Sequence, residues 1–433
     1  MTDRAEACVE TEETVRRALR TAFEAEWGRV VATLIRLTGD WALAEDCAQD
    51  AFAAAARVWP RDGVPDRPGA WLTTTARNRA LDRFRRTAVE DRTLKEVAAM
   101  HDLEQEPPGE RPAIEDDRLR LIFTCCHPAL PLESRVALTL RTLCGLTVAE
   151  IGRAFGASEA AMAKRLVRAR RKIQTAGIPF RVPAAEQLPE RRDGVLAVLY
   201  LLFTEGYAPG SGAAVVREPL STEAIRLTRL LAELLPRDPE VLGLLALELL
   251  NDARRAARTG PDGDLVPLEE QDRTRWDGKR IAEGRRVLAA ADRLGGGQGA
   301  YQLQARIALC HASASAPEQT DWLRIGALYD ALAALAASPY VELSRAVAVG
   351  MASGPEAGLA ALARVRGSGR LAGNHYVPAA EADLLRRAGR YGPAAEAYRT
   401  ALELVVNDAE RRYLERRLAE VGDSAEGSGP PAR

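Results

Sequence analysis

Residues 145–173, GLTVAEIGRAFGASEAAMAKRLVRARRKI, constrain the fold more than any other stretch, because they encode two helices and the turn between them. Thr147 stands three residues before Glu150, the spacing of a capping box, in which each residue satisfies a backbone N–H that the first helical turn leaves open. Val148, Ile151 and Phe155 fall on one helical face. Gly156 permits the left-handed turn that closes the first helix, and Ser158 caps the second. On the second helix Met162, Leu166, Ala169 and Ile173 recur at i, i+4, i+7 and i+11 and mark a buried stripe. Ala161, Lys164, Arg165, Arg168, Arg171 and Lys172 lie off it. Two capped helices, a short glycine turn and a basic second helix fit docking in the major groove of DNA. A solvated cationic helix in an α-helical hairpin is the competing reading.

Charge is distributed to match. The chain of 433 residues has a formal net charge of −1, so the whole protein is not a polycation. Residues 118–174 nevertheless carry eleven Lys/Arg against three Asp/Glu, and residues 87–117 carry three against ten. A basic module beside an acidic linker suits nucleic-acid contact at one place only. Six cysteines occur without a CxxC pair, which argues against disulfides and zinc ribbons. Cys125-Cys126-His127 is the one suggestive cluster. Adjacent residues on a helix point about 100° apart and do not readily share a metal, so the expectation is buried small residues near a helix end, with no metal and no cofactor. The longest apolar run, Gly194 to Phe203, is about ten residues, too short to cross a bilayer. The N-terminus, MTDRAEACVE, lacks an apolar signal core. These features predict a cytoplasmic protein without a membrane partner.

Strand-like alternation is absent and aromatic residues make up 5 %, so the chain reads as all-α. Phe23, Trp27, Val30, Val31, Leu34 and Leu37 give a first amphipathic helix closed by Gly39. Asp40 caps a second, predicted to run to Trp59 and stop before Pro60. The Pro/Gly-rich stretch 60–69 reads as a loop, and a third helix is expected from about Ala70 to Arg86. The predicted organisation is a small helical domain over 15–87, an acidic flexible linker over 88–117, the helix-turn-helix domain over 118–175 and a second linker over 176–190. A helical extension follows over 191–421, and then a disordered tail, 422–433. From about residue 300 the extension carries a weak repeat. Ala316-Pro317, Gly354-Pro355 and Gly392-Pro393 recur at a spacing of 38, Tyr301, Tyr340 and Tyr376 open the preceding helices, and Asn407-Asp408 can cap the last helix. The Ala-rich helix pairs resemble tetratricopeptide repeats, which present an interaction surface. An ordinary helical bundle is the alternative.

A second match gives the helix-turn-helix its context. WALAEDCAQDAFAAAARVW (41–59) followed by PGAWLTTTARNRALDRFRR (68–86) resembles the second conserved domain of bacterial sigma factors, most closely the extracytoplasmic-function group. Glu45, Asp46, Gln49, Asp50 and Phe52 match one element of that pattern. Trp71-Leu72, Ala76-Arg77-Asn78 and Asp82 to Arg86 match others. The helix-turn-helix then resembles the fourth domain. FTCCHPAL (123–130), LYLLFTEGY (199–207), LLALELLNDARRAAR (244–258), RIAEG (280–284) and ADLLRR (382–387) resemble a sigma subfamily with a fused C-terminal tetratricopeptide-like extension. Two departures stand out: AMAKRL (161–166) replaces the usual Val-Lys-Ser-Arg start, and Thr204 stands where Asn is expected.

The resemblance implies core RNA polymerase and promoter DNA as partners. It places polymerase contact on Asp46, Gln49, Asp50 and Phe52. It places the promoter element nearest the start site, the −10 element, on Trp71, Arg77, Asn78, Arg79, Arg83 and Arg86. Arg79, Arg83 and Arg86 share a face at i, i+4 and i+7 and suit phosphates, while Trp71 reads equally as core. The distal, −35 element falls to Ser158, Glu159, Ala160, Ala161, Lys164, Arg165, Arg168 and Arg171. The extension is expected to regulate the DNA-binding domains or help hold polymerase, and to take a protein or small-molecule ligand, with Glu205, Tyr207 and Trp276 as lining candidates. The alternative is a helix-turn-helix regulator that never meets polymerase, for which residues 41–86 would have no use. Catalysis by the Cys-Cys-His cluster is disfavoured, since the four histidines are scattered without a base–nucleophile spacing.

Overall fold

The structure is a computed structural model that describes residues 2–87, 117–154, 157–184, 186–208, 215–216, 218–295, 299–335 and 338–427. The chain divides into two compact units, Met1–Leu202 and Phe203–Arg433. The described residues are helical apart from turns, short 3-10 segments and one isolated bridge, Thr259 to Leu265. None of the described helices is long and apolar enough to cross a membrane.

The first unit is built on α1 (Thr2–Thr38), a 37-residue helix that Gly39 ends with φ +66°. Asp40 then caps α2 (Trp41–Asp62) by accepting from the amides of Ala42 and Leu43 at 2.8 and 3.1 Å. Helix α2 passes through Pro60 instead of stopping at Trp59. Proline removes one donor from a helix, but here it falls in the last turn, and Gly63 N–H returns to Trp59 O at 3.0 Å to close the helix. Helix α3 (Pro68–Thr87) starts two residues earlier than expected, with proline at its first position, where a missing N–H costs nothing. The faces joining these helices are Val30, Val31 and Leu34 on α1, the alanine-rich stripe Ala44, Ala48, Ala51 and Ala55 on α2, and Leu72, Ala76 and Ala80 on α3, all fully buried.

The acidic linker expected over 88–117 lies outside the described residues up to 116; Asp117 opens α4 (Asp117–Cys125). Helix α5 (Leu132–Cys144), α6 (Val148–Ala154) and α7 (Glu159–Thr175) complete a second module. The two modules pack on each other, because α1 touches α4 and α5 as well as α2 and α3. Gly28 makes this possible: a Cβ there would stand 2.5 Å from the Leu143 carbonyl oxygen of α5. Helix α8 (Leu188–Tyr207) begins in the same unit, with Arg191 donating to Phe123 O at 3.3 Å and Gly194 against Cys126 and Arg135.

In the second unit α9 (Glu218–Leu234) leads to α10 (Pro239–Asp252), which is buried on almost every side between its neighbours α11 (Gly278–Arg293) and α12 (Ala300–Ser313). Residues 253–277, between α10 and α11, form a loop with three 3-10 turns. Helices α13 (Trp322–Leu335), α14 (Pro339–Ser353), α15 (Pro355–Gly367), α16 (Tyr376–Arg387), α17 (Tyr391–Leu404) and α18 (Asp408–Gly427) follow, each packed on the next. Tyr301, Tyr340 and Tyr376 stand at the starts of α12, α14 and α16, and Asn407 caps α18 through the amides of Ala409 and Glu410 at 2.8 and 3.1 Å. Helix α18 continues to Gly427, so residues 422–427 of the expected disordered tail are helical.

Candidate nucleic-acid interface

The helix-turn-helix is assembled by local bonds. Thr147 N–H donates to Glu150 Oε2 at 2.8 Å and Glu150 N–H donates to Thr147 Oγ1 at 3.2 Å, so the capping box is closed in both directions. Ser158 Oγ accepts from Ala161 N–H at 3.3 Å. Gly156 and Phe155 lie outside the described residues. Met162, Leu166, Ala169 and Ile173 are the buried residues of α7. Their burial turns Ser158, Glu159, Ala160, Ala161, Lys164, Arg168 and Arg171 to the exposed side.

Two arginines of α7 are engaged elsewhere. Arg165 is half-buried and pairs with Glu133 of α5 at 3.0 Å. Arg170 reaches across to α2 and bonds Glu45, which Arg141 of α5 also meets at 3.4 Å. Glu45 thus joins the two modules from a buried position. A second link is Asp117, which accepts from Arg36 Nε at 3.0 Å and Thr33 Oγ1 at 3.3 Å. Val167 was not singled out from the sequence, yet it is 63 % exposed on α7 between Lys164 and Arg171. An apolar side chain on such a face can meet a thymine methyl group. The available signal was its position one turn from Lys164 and Arg171, off the apolar stripe.

On the first module Asp46 and Gln49 are exposed and Asp50 is half-buried on α2. Arg83 of α3 bridges both acids, at 3.1 Å to Asp46 and 3.0 Å to Asp50, and these bonds raise its pKa. The residues expected to meet polymerase and one expected to meet DNA therefore touch. Pairs this exposed are worth about 0–1 kcal/mol, so the bridge does not lock Arg83 away from a phosphate. Phe52 is half-buried in a ring cluster with Phe23 at 5.1 Å and Trp27 at 6.0 Å. Trp71 is half-buried and stands edge-on to Trp59 at 5.8 Å. Asn78 and Arg79 are exposed and Arg77 is half-buried, while the side chain of Arg86 lies outside the described residues.

The Cys-Cys-His cluster has the character of a core. Cys125 and Cys126 are buried; burial pushes the first thiol well up and the second up to about 12, so neither is a thiolate at neutral pH. His127 Nδ1 accepts from Ala129 N–H at 3.1 Å. Among the described residues no group of three or more His, Cys, Asp or Glu is arranged to hold a metal.

Comparison with known proteins follows this geometry. Residues 22–89 match Sigma-70 region 2, residues 120–173 match Sigma-70, region 4, and residues 191–292 match a family of unknown function, DUF6596. An uncharacterized protein of Rhizobium meliloti (strain 1021) is 42 % identical over 395 residues, which cover 90 % of this chain and 92 % of that protein. The "Probable ECF RNA polymerase sigma factor SigI" of Mycobacterium tuberculosis is 29 % identical over 170 residues, 38 % of this chain and 57 % of the relative. The "Probable RNA polymerase sigma factor RfaY" of Xanthomonas campestris pv. campestris is 32 % identical over 153 residues, 34 % of this chain and 36 % of the relative. No solved structure matches the chain. Region 2 thus falls on α1 to α3 and region 4 on α4 to α7, so the chain carries the two conserved regions of sigma-70 factors.

Proposed function

We propose that this protein is an RNA polymerase sigma factor of the extracytoplasmic-function type, which binds core polymerase, directs promoter recognition, and is regulated by its own C-terminal unit. The observation that carries the reading is the orientation of α7. Its apolar stripe is buried, and Lys164, Val167, Arg168 and Arg171 form one exposed face on a helix whose start is fixed by a cap. A major-groove helix needs that arrangement. Ser158, Glu159, Ala160, Ala161 and Lys164, nearest the N-terminal end, meet base edges of the −35 element, and Arg168 and Arg171 meet phosphates; Arg165 joins them by exchanging its exposed partner Glu133 for a phosphate. Asp46, Gln49, Asp50 and Phe52 serve core polymerase, and Trp71, Arg77, Asn78, Arg79, Arg83 and Arg86 serve the −10 element. The regulatory reading is supported by the helix pairs of the second unit, whose 38-residue spacing resembles tetratricopeptide repeats. Such a stack offers a surface to a protein or small-molecule ligand.

The test is run-off transcription with purified core polymerase on the DNA upstream of this gene. Full-length protein is compared with residues 1–208, which end just after α8, and with an Asp46→Ala/Gln49→Ala/Asp50→Ala variant. Promoter-dependent transcripts that the triple variant loses are expected, as is a changed yield on truncation. Absence of any complex with core polymerase would overturn the sigma reading. Identical yields from both lengths would overturn the regulatory one.

A further inference from the structure

The loop over residues 253–277 gathers three arginines and two aromatic rings into a row. Arg258 Cζ stands 3.9 Å from the centre of the Tyr207 ring. Arg254 Cζ lies 6.0 Å from the same ring and 5.9 Å from that of Trp276. Arg273 Cζ completes the row, 4.6 Å from Trp276. Cation and ring therefore alternate: Arg258, Tyr207, Arg254, Trp276, Arg273.

Among the described residues none of these three arginines forms an ion pair, and the reason is visible in the same loop. Its acids Asp264, Glu269 and Glu270 are taken by arginines of α16 and α18: Arg412 holds Asp264, Arg387 holds Glu269, and Arg417 holds Glu270. Asp272 and Asp277 accept from backbone amides at 2.9 to 3.1 Å. Glu318 acts on Arg273 through space without bonding it. The neutral bonds of the row are few. Arg254 donates to the Asn251 side chain, and Arg273 donates to the carbonyls of His311 and Ala314 at 2.8 and 2.6 Å.

The remaining polar atoms are mostly donors. Arg258 Nε, Arg273 Nε, Trp276 Nε1 and the Tyr207 hydroxyl are all buried without a hydrogen-bond partner among the described residues. Arg254 is 9 % exposed and Trp276 8 %. Burial together with Arg254 and Arg273 pushes His311 down to about 4, so the neighbouring imidazole is neutral and adds no charge of its own. Cation–π contact is a weak attraction, whereas burying a cation without a counter-charge is costly. Arg254 is buried and Arg258 and Arg273 are half-buried, so three neighbouring cations share a partly dry site in which stacking supplies no counter-charge. A group that brings negative charge and only acceptors does supply it, since guanidinium forks match planar and tetrahedral oxyanions alike.

We propose that the Arg258–Tyr207–Arg254–Trp276–Arg273 row is a binding site for a small multivalent oxyanion, bearing phosphate or carboxylate groups. This goes beyond the sigma reading and does not depend on it, because binding is measured on the protein alone. Full-length protein in phosphate-free buffer of low ionic strength is titrated calorimetrically with pyrophosphate in one arm and citrate in the other, with sodium chloride matched for ionic strength as the control. Saturable binding to at least one anion is expected; pyrophosphate alone assigns a phosphate ligand and citrate alone a carboxylate one. Arg258→Lys keeps the charge but loses the fork and the flat stacking face, and is expected to weaken binding at least tenfold. Arg254→Gln is expected to do the same. Arg399→Ala, an exposed arginine of α17, is expected to bind as the parent does. Absence of saturable binding to both anions, or unchanged binding in Arg258→Lys, would overturn the proposal. A thermal melt of each variant separates loss of the site from loss of the fold.

Discussion

Arg168 and Arg170 are two positions apart on one helix and do opposite things. Arg168 is exposed beside Lys164 and Arg171, while Arg170 turns inward to Glu45. Each phosphate contact contributes about one unit to the salt dependence of duplex binding. Arg168→Ala should therefore weaken binding across sequences and flatten the slope of log affinity against log salt by about one unit; an unchanged slope would count against phosphate contact. Arg170→Ala should leave that slope alone and lower the stability of the first unit. The partner mutation is sharper, because Glu45 is buried between Arg141 and Arg170. Removing one member of a buried charge cluster costs about 3–5 kcal/mol, and the partial exposure of both arginines places Glu45→Ala near the lower end. Chemical denaturation of residues 1–208 measures it, and a loss under about 1 kcal/mol would make the cluster equivalent to a surface pair. Glu248 gives a pH dependence in the second unit. It is fully buried in α10, and burial raises its pKa well above 4.5. The folded state then holds a proton that the unfolded chain releases, so this residue's contribution is fully present below about pH 4.5 and fades as pH climbs through the folded value. Glu248→Gln should flatten the stability curve above pH 5 and match or exceed the parent at pH 8; parallel curves would refute the assignment.

At the scale of elements, the sequence was most legible where a helix is defined by its own residues. Asp40, the Thr147–Glu150 box, Ser158 and Asn407 each cap the helix they were expected to cap, because a cap involves atoms only two or three residues apart. The end of α2 lies beyond the expected Trp59 for a related reason. Proline forbids one bond, and a helix that needs only two more residues can tolerate that loss. Glycines in helix interiors were not legible, since their meaning depends on a neighbouring helix. Gly350 on α14 and Gly358 on α15 face each other so closely that a Cβ on Gly358 would lie 2.6 Å from Gly350 Cα. Replacing a helix-interior glycine by alanine ordinarily stabilises by about 1 kcal/mol. Here the sign should reverse: Gly358→Ala forces two backbones apart, and overpacking of this kind costs about 1–3 kcal/mol. Thermal unfolding of the full chain should show a destabilised second unit, whereas Gly326→Ala on α13, with open space at its Cβ, should not.

For the whole molecule, what the sequence left unread is long-range. Glu45 and Arg170 are 125 positions apart, and Arg387 and Glu269 are 118 apart; neither pairing leaves a periodicity. The same holds for the candidate sites. The exposed face of α7 was legible because it is the complement of an apolar stripe. The meeting of Arg83 with Asp46 and Asp50, and the alternation of arginine and aromatic residues around residues 253–277, exist only after folding. The boundary of the first unit shows the consequence. Sequence places a linker over 176–190 and the extension from 191, yet the compact unit runs to Leu202. Helix α8 begins by covering the end of α4, where Arg191 bonds Phe123 O and Gly194 lies on Cys126. A fragment ending at residue 176 would remove that cover and leave Phe123 and Cys126, both buried in the intact unit, nearer to water. If the loss is about 2 kcal/mol, a unit of this size should melt about 4–8 °C lower. Residues 1–176 should therefore have a lower Tm than residues 1–208 and bind more of a dye that reports apolar surface. Equal melting of the two fragments would mean that α8 contributes nothing to the first unit. A lower Tm would mean that a transcription assay on the shorter fragment confounds lost regulation with lost folding, which makes 1–208 the fragment in which regulation by the second unit can be read.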